Sequence, residues 1–175
     1  LKVDDIELIA CVTGPGSFTG LRIGAATAKG LCLALNKPII AVPTLDALIY
    51  GAGETEKLVV PIMDARRNQV YTKLDGKSTA MDMHELISIL NEQTTEVLFL
   101  GDGVPVYKDY IENNLKVPYQ MPCASNCYQN AAYIAVLGEY YANKGEAVNA
   151  RDLTPVYLRK PQAEREREEM LNGKD

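Results

Sequence analysis

Val12-Thr13-Gly14-Pro15-Gly16-Ser17-Phe18-Thr19-Gly20-Leu21-Arg22-Ile23-Gly24 is the stretch on which the fold turns. The apolar run Ile6 to Val12 leads into it and predicts a buried strand. Leu21 to Leu35 follows it and is long enough for a helix, which Asn36 and Pro38 stop. Strand, glycine-rich turn and helix in that order open an α/β unit.

The loop residues Gly14, Gly16, Ser17, Thr19 and Gly20 allow two readings. Backbone N–H groups at the start of a helix can hold an anion. A phosphate-binding Walker loop, however, needs Lys and then Ser or Thr after its last Gly, and here Leu21 and Arg22 follow Gly20. The dinucleotide pattern G-x-G-x-x-G is missed by one position. Tight turning and close backbone packing are the stronger reading.

The helix carries a sharper signal. Leu21, Ala25, Ala28, Cys32 and Leu35 fall on one stripe, and Gly20, Gly24, Thr27 and Leu31 on the next. Only Arg22 and Lys29 are charged. A helix that is apolar nearly all round is covered on more than one side. The small residues would let a second helix approach closely. From the residues alone, that cover is this chain's own elements or another protein.

Beyond the helix, Pro38 to Val42 predicts a second strand and Leu45 to Tyr50 a short helix. Lys57 to Met63 and Gln69 to Leu74 read as a hairpin whose turn is Asp64 to Asn68. The cluster around Asp75 to Asp82 reads as a loop-like seam. Helices are expected at Met83 to Asn91, Val106 to Leu115 and Asn126 to Asn143, with a strand at Val97 to Leu100. The charged stretch Ala163 to Leu171 reads as a solvated helix or frayed end. Strands alternating with helices, plus one antiparallel pair, predict an α/β domain with a mixed sheet.

Composition narrows the function classes. Of 175 residues, 47% are apolar and 23% charged, as in an ordinary globular protein. A net charge of −5 and a pI near 5.0 argue against a chain that grips a phosphate backbone by itself. Leu1-Lys2-Val3-Asp4-Asp5 has no signal-peptide pattern.

Four cysteines are present. Cys11 and Cys32 fall in apolar patterns and read as core residues. Cys123 and Cys127 flank three residues, but a zinc site needs two further ligands, and the only histidine is His84. Reduced thiols in a cytoplasmic protein, with no metal, are the preferred reading.

Four stretches of the chain resemble the bacterial TsaB (YeaZ) family. They are the signature Val12 to Gly24, Val42-Pro43-Thr44-Leu45-Asp46-Ala47-Leu48, Met63 to Tyr71, and Pro155-Val156-Tyr157-Leu158-Arg159. The resemblance implies an actin/Hsp70-like (ASKHA) α/β fold, with ribonuclease H-like lobes of mixed sheets flanked by helices. On that pattern, residues 1–52 are the remainder of an N-terminal lobe and 53–175 a C-terminal lobe with a charged tail. The family pattern begins with a further strand pair and helix that this sequence lacks, which implies an absent leading segment.

The resemblance also implies a role. Such a protein is a non-catalytic partner that binds and activates the TsaD transferase in making threonylcarbamoyladenosine in tRNA. A TsaE-type ATPase completes the complex, and the chain pairs with itself when TsaD is absent. ATP and metal belong to the partner subunits, and tRNA is met only through the complex. The partner face is expected on the first helix, at Leu21, Arg22, Gly24, Ala25, Ala28, Lys29 and Cys32.

TsaD relatives hold metal with a pair of histidines, and this chain has one histidine. A Ser–His or Cys–His nucleophile also needs a base within reach. The alternative is a free-standing nucleotide-binding or peptidase-like enzyme acting at Gly14 to Gly20. The turn Asp64, Arg66 and Arg67 reads either as a partner or nucleotide contact or as a solvated hairpin tip.

Overall fold

The computed structural model of the chain describes residues 2–159 and Met170. Among the described residues, seven strands form two sheets and five α-helices pack around them. In chain order they are β1 (Ile9–Gly14), α1 (Phe18–Leu35), β2 (Ile39–Pro43), α2 (Thr44–Tyr50), β3 (Leu58–Asp64), β4 (Gln69–Leu74), β5 (Lys77–Asp82), α3 (Met83–Asn91), β6 (Val97–Leu100), α4 (Gly103–Asn114), β7 (Tyr119–Gln120) and α5 (Ala131–Asn143).

β1 and β2 pair in parallel, with Ile9 opposite Ile39 and Val12 opposite Val42. The side-chain alternation of strands puts Cys11 and Ile39 on one face of this sheet, packed with Ala25, Ala28 and Cys32 of α1 and with Ala150 and Leu153. Ala10, Ile40 and Val42 point the other way, against Leu137 and Ile134 of α5 and Ala47 of α2. At Gly138, a Cβ would lie 2.5 Å from the Ala10 Cβ, so α5 can settle this close to β1 only with glycine there.

The second sheet runs β5-β4-β3-β6-β7. β3 is antiparallel to β4 and parallel to β6, which makes the sheet mixed. Its core gathers Val60, Ile62, Val70 and Phe99 of the strands with Leu86 and Leu90 of α3 and Ile111 of α4. Leu45 and Leu48 of α2 meet Met63 of β3 at the junction between the sheets. Lys73 of β4 and Asp46 of α2 form an ion pair across the same junction.

Several boundaries differ from the sequence expectation. The Asp75 to Asp82 seam is β5, joined to β4 through the full register from Leu74↔Lys77 to Gln69↔Asp82. Asp75 and Gly76 both take positive φ, 48° and 77°, as a two-residue hairpin turn requires. The hairpin therefore has two antiparallel pairs rather than one. α4 starts at Gly103, ahead of Val106, because Pro105 sits in the first turn, where a missing N–H costs nothing. Residues Ala124–Cys127 form a separate 3-10 turn, so α5 begins at Ala131 under an Asn130 cap. The expected helix at Ala163 to Leu171 lies outside the described residues apart from Met170. No described helix is long and apolar enough to cross a membrane.

Candidate functional site

α1 presents two different surfaces. Ser17 caps it, its hydroxyl accepting from the Gly20 N–H at 3.3 Å, and Asn36 ends it in a left-handed conformation with φ of 52°. Leu21, Ala25, Ala28 and Cys32 are its buried face, turned onto the first sheet and Leu153. This corrects the expected partner face. Those four side chains are covered by the chain itself, because the 4-3-4-3 stripe is the sheet-facing one. Arg22 and Gly24 are exposed and Lys29 is half-buried, its ammonium donating to the Arg151 carbonyl at 3.1 Å.

The outward face is nonetheless apolar. Ile23 is 62% exposed, Leu31 50% and Leu33 56%, with Ala26, Thr27, Gly30 and Ala34 exposed among them. Ile23, Thr27, Leu31 and Ala34 run down one line, and Ala26, Gly30 and Leu33 down its neighbour. Nothing lies within 4 Å of the Cβ that Gly24 or Gly30 would carry. Contiguous exposed apolar helix faces of this kind are characteristic of surfaces that other molecules cover.

A second feature is a cleft of about 480 Å³ where the two sheets meet. The loop Pro15 to Phe18 forms one wall, and Met63 to Arg66 with Tyr71 and Asp102 the other. The segment Val156 to Arg159 crosses between them. Its Val156 N–H donates to the Thr13 carbonyl at 2.7 Å. Tyr157 stacks on Phe18 at 4.2 Å, and the Arg22 Nε–H donates to the Tyr157 hydroxyl at 3.2 Å. The Arg159 guanidinium donates to the Ala65 carbonyl on the far wall. Gly14 has φ of +120°, and a Cβ there would lie 2.4 Å from the Val156 carbonyl oxygen. The glycine thus serves the tight turn and the close backbone approach.

At the far wall the carboxylates are held by backbone. The Asp64 N–H donates to Asp102 Oδ1 at 3.3 Å, and the Arg66 N–H donates to Asp64 Oδ1 at 2.8 Å. Burial, with the nearby Asp64 charge adding to it, raises the Asp102 carboxyl above the usual carboxylate range against backbone N–H groups that lower it. Arg66, Arg67 and Asn68 take positive φ in succession, at 64°, 56° and 60°. This turns the Arg66 side chain outward, 88% exposed, with its Nε 3.6 Å from Asp64 Oδ2. His84 is exposed at the start of α3. Phe18 was not singled out at sequence level beyond its place in the signature; an aromatic inside a glycine-rich loop is the signal that could have found it.

The family model described as TsaD, tRNA N6-adenosine threonylcarbamoyltransferase, matches residues 1–167. The tRNA threonylcarbamoyladenosine biosynthesis protein TsaB of Bacillus subtilis (strain 168) is 34% identical over 170 residues, which cover 91% of this chain and 72% of that protein. The chain belongs to the TsaB (YeaZ) family. The TsaB protein of Haemophilus influenzae is 28% identical, again over 91% of this chain and 72% of its own length. A solved structure described as YeaZ from Pseudomonas aeruginosa superposes with a TM-score of 0.71 at 25% identity, covering 90% of this chain and 77% of that one. The α/β architecture is thus the actin-like fold of TsaB, with a mixed sheet flanked by helices. The likeness reaches the transferases themselves: the tRNA N6-adenosine threonylcarbamoyltransferase of Kosmotoga olearia is 48% identical over 51 residues, 29% of this chain.

Proposed function

We propose that this TsaB-family chain is a non-catalytic subunit of a tRNA threonylcarbamoyladenosine machinery, and that it docks a TsaD-type transferase through the outward face of α1. The observation that carries this reading is the apolar surface of Ile23, Ala26, Thr27, Gly30, Leu31, Leu33 and Ala34 on a helix whose opposite face is already packed. Small residues between the larger ones suit close approach of a partner helix. A second copy of the chain meets the same surface when the transferase is absent.

The chain's own chemistry favours a supporting role. A single histidine cannot form a metal-holding pair, and His84, on α3, is not among the residues lining the cleft walled by Asp64 and Asp102. ATP turnover and metal are assigned to the TsaD-type and TsaE-type partners, and tRNA contact to the assembled complex, in keeping with the net charge of −5.

Reconstitution tests the reading. Threonylcarbamoyl transfer to tRNA by TsaD-type and TsaE-type subunits should fall sharply when this chain is omitted, and the chain alone should transfer nothing. Transfer or ATP turnover by the isolated chain would overturn the non-catalytic assignment.

A further inference from the structure

Two thiols outside the cleft lie four residues apart, at the two ends of the 3-10 segment Ala124–Cys127 and its N-cap. Cys123 stands at its start and is exposed; Cys127 closes it and is half-buried. The Cys127 S–H donates to the Cys123 carbonyl oxygen at 3.7 Å, which brings the second sulfur over the backbone of the first. The Cys123 sulfur is 3.0 Å from the Ser125 hydroxyl. We propose that Cys123 and Cys127 form a peroxide-reactive dithiol, with Cys123 the attacking thiol and Cys127 the resolving one.

The environments of the two sulfurs divide these roles. The Ser125 hydroxyl and the N–H groups of Asn126, Ser125 and Cys123 lower the Cys123 thiol below its ordinary range and so favour its thiolate. Burial, together with the neighbouring Cys123 charge, raises the Cys127 thiol, which disfavours its thiolate relative to that of Cys123. Cys11 and Cys32 supply the contrast inside the same chain. Cys11 of β1 and Cys32 of α1 are buried where that helix packs on the first sheet, and burial raises both, so neither competes.

The chemistry closes with hydrogen peroxide as oxidant. The Cys123 thiolate attacks one peroxide oxygen, the O–O bond breaks, and hydroxide leaves and takes up a proton to become water. Cys123 is then a sulfenic acid. The Cys127 sulfur attacks it, forming the S–S bond and expelling a second water that carries the Cys127 proton. Two thiols are oxidised by two electrons and one peroxide is reduced to two waters.

The turn is well placed to be felt elsewhere. The Asn126 carbonyl accepts from the Gly101 N–H at 3.0 Å, and its side-chain amide donates to the Gly51 carbonyl at 2.9 Å. Gly101 precedes Asp102 of the cleft wall, and Gly51 caps α2.

The test uses the reduced full chain, hydrogen peroxide, and intact mass with thiol alkylation. The native chain should lose two hydrogens and both accessible thiols, and dithiothreitol should restore them. Cys127→Ser should stop at a dimedone-trappable sulfenic acid on Cys123. Cys123→Ser should lose peroxide reactivity, and Ser125→Ala should slow Cys123 alkylation at neutral pH severalfold. Equal oxidation rates for native chain and Cys123→Ser would overturn the proposal. So would a native chain that forms no internal disulfide, or one in which Ser125→Ala leaves Cys123 alkylation unchanged.

Discussion

Lys73 on β4 reaches across to the Asp46 carboxylate on α2, and the two side chains are only 21% and 19% exposed. The Tyr141 hydroxyl of α5 donates to the other Asp46 oxygen at 3.3 Å. One carboxylate therefore ties both sheets together through three elements. Asp46→Ala leaves the Lys73 ammonium and the Tyr141 hydroxyl without their acceptor in a largely dry junction. The expected loss is about 1–3 kcal/mol in urea unfolding, since such a group bears its desolvation cost unpaired. Asp46→Asn, which keeps an acceptor, should lose less than Asp46→Ala.

The two faces of α1 separate fold from association. Leu31→Glu and Ile23→Asp should abolish pairing while leaving stability within about 0.5 kcal/mol of the native value, as exposed substitutions do. Ala28→Trp should instead destabilise the chain by about 1–3 kcal/mol through overpacking against the first sheet. Sedimentation and thermal unfolding on the same three variants distinguish these outcomes.

Asp102 makes stability depend on pH in an unusual direction. Its folded carboxyl is raised above the ordinary value of 3.8 mainly by burial. Well below that ordinary value the carboxyl is protonated in both states and contributes nothing. As pH rises from there through the raised folded value, the unfolded chain ionises first, so a penalty on folding builds and persists at neutral pH. Asp102→Asn should therefore raise the urea midpoint at pH 7 more than at pH 4. Equal shifts at the two pH values would contradict this.

Gly14 fixes the crossing segment onto the loop. Gly14→Ala must fit a Cβ 2.4 Å from the Val156 carbonyl oxygen at a φ of +120°. It should cost more than about 1 kcal/mol and loosen residues 154–159. Faster amide exchange at Val156, whose N–H donates to Thr13, is the measurement. Tyr157→Ala, which removes the stack on Phe18 and the hydrogen bond from Arg22, should give a milder increase.

How much of this was legible in the sequence depends on the kind of signal. Met83 to Asn91 and Val97 to Leu100 are legible to the residue, because the first is amphipathic at helical spacing and the second is a short apolar run ended by Gly101. Lys77 to Asp82 was missed as a strand because Lys-Ser-Thr-Ala-Met-Asp at a sheet edge offers little apolar alternation. α1 shows the deeper limit. Its small residues wrap the whole circumference, so composition alone could not say which stripe meets the sheet. Only placement of Cys11, Ile39 and Leu153 decides that, and it puts Ala25, Ala28 and Cys32 inside. The cleft depended on segments far apart in the chain: Phe18, Asp64, Asp102 and Tyr157 come together through sheet pairing rather than any local pattern. Likewise α5 packs on β1 and β2, where Gly138 meets Ala10, a contact between segments far apart in the chain.

The most direct test of the central claim is the mass in solution, by size-exclusion chromatography with light scattering, of this chain mixed with a TsaD-type transferase subunit. A mixed dimer that forms with the native chain and is lost with Leu31→Glu is the predicted result. A native chain that elutes separately from the transferase subunit, or a mixed dimer that Leu31→Glu leaves intact, would contradict the assignment of α1 as the docking face.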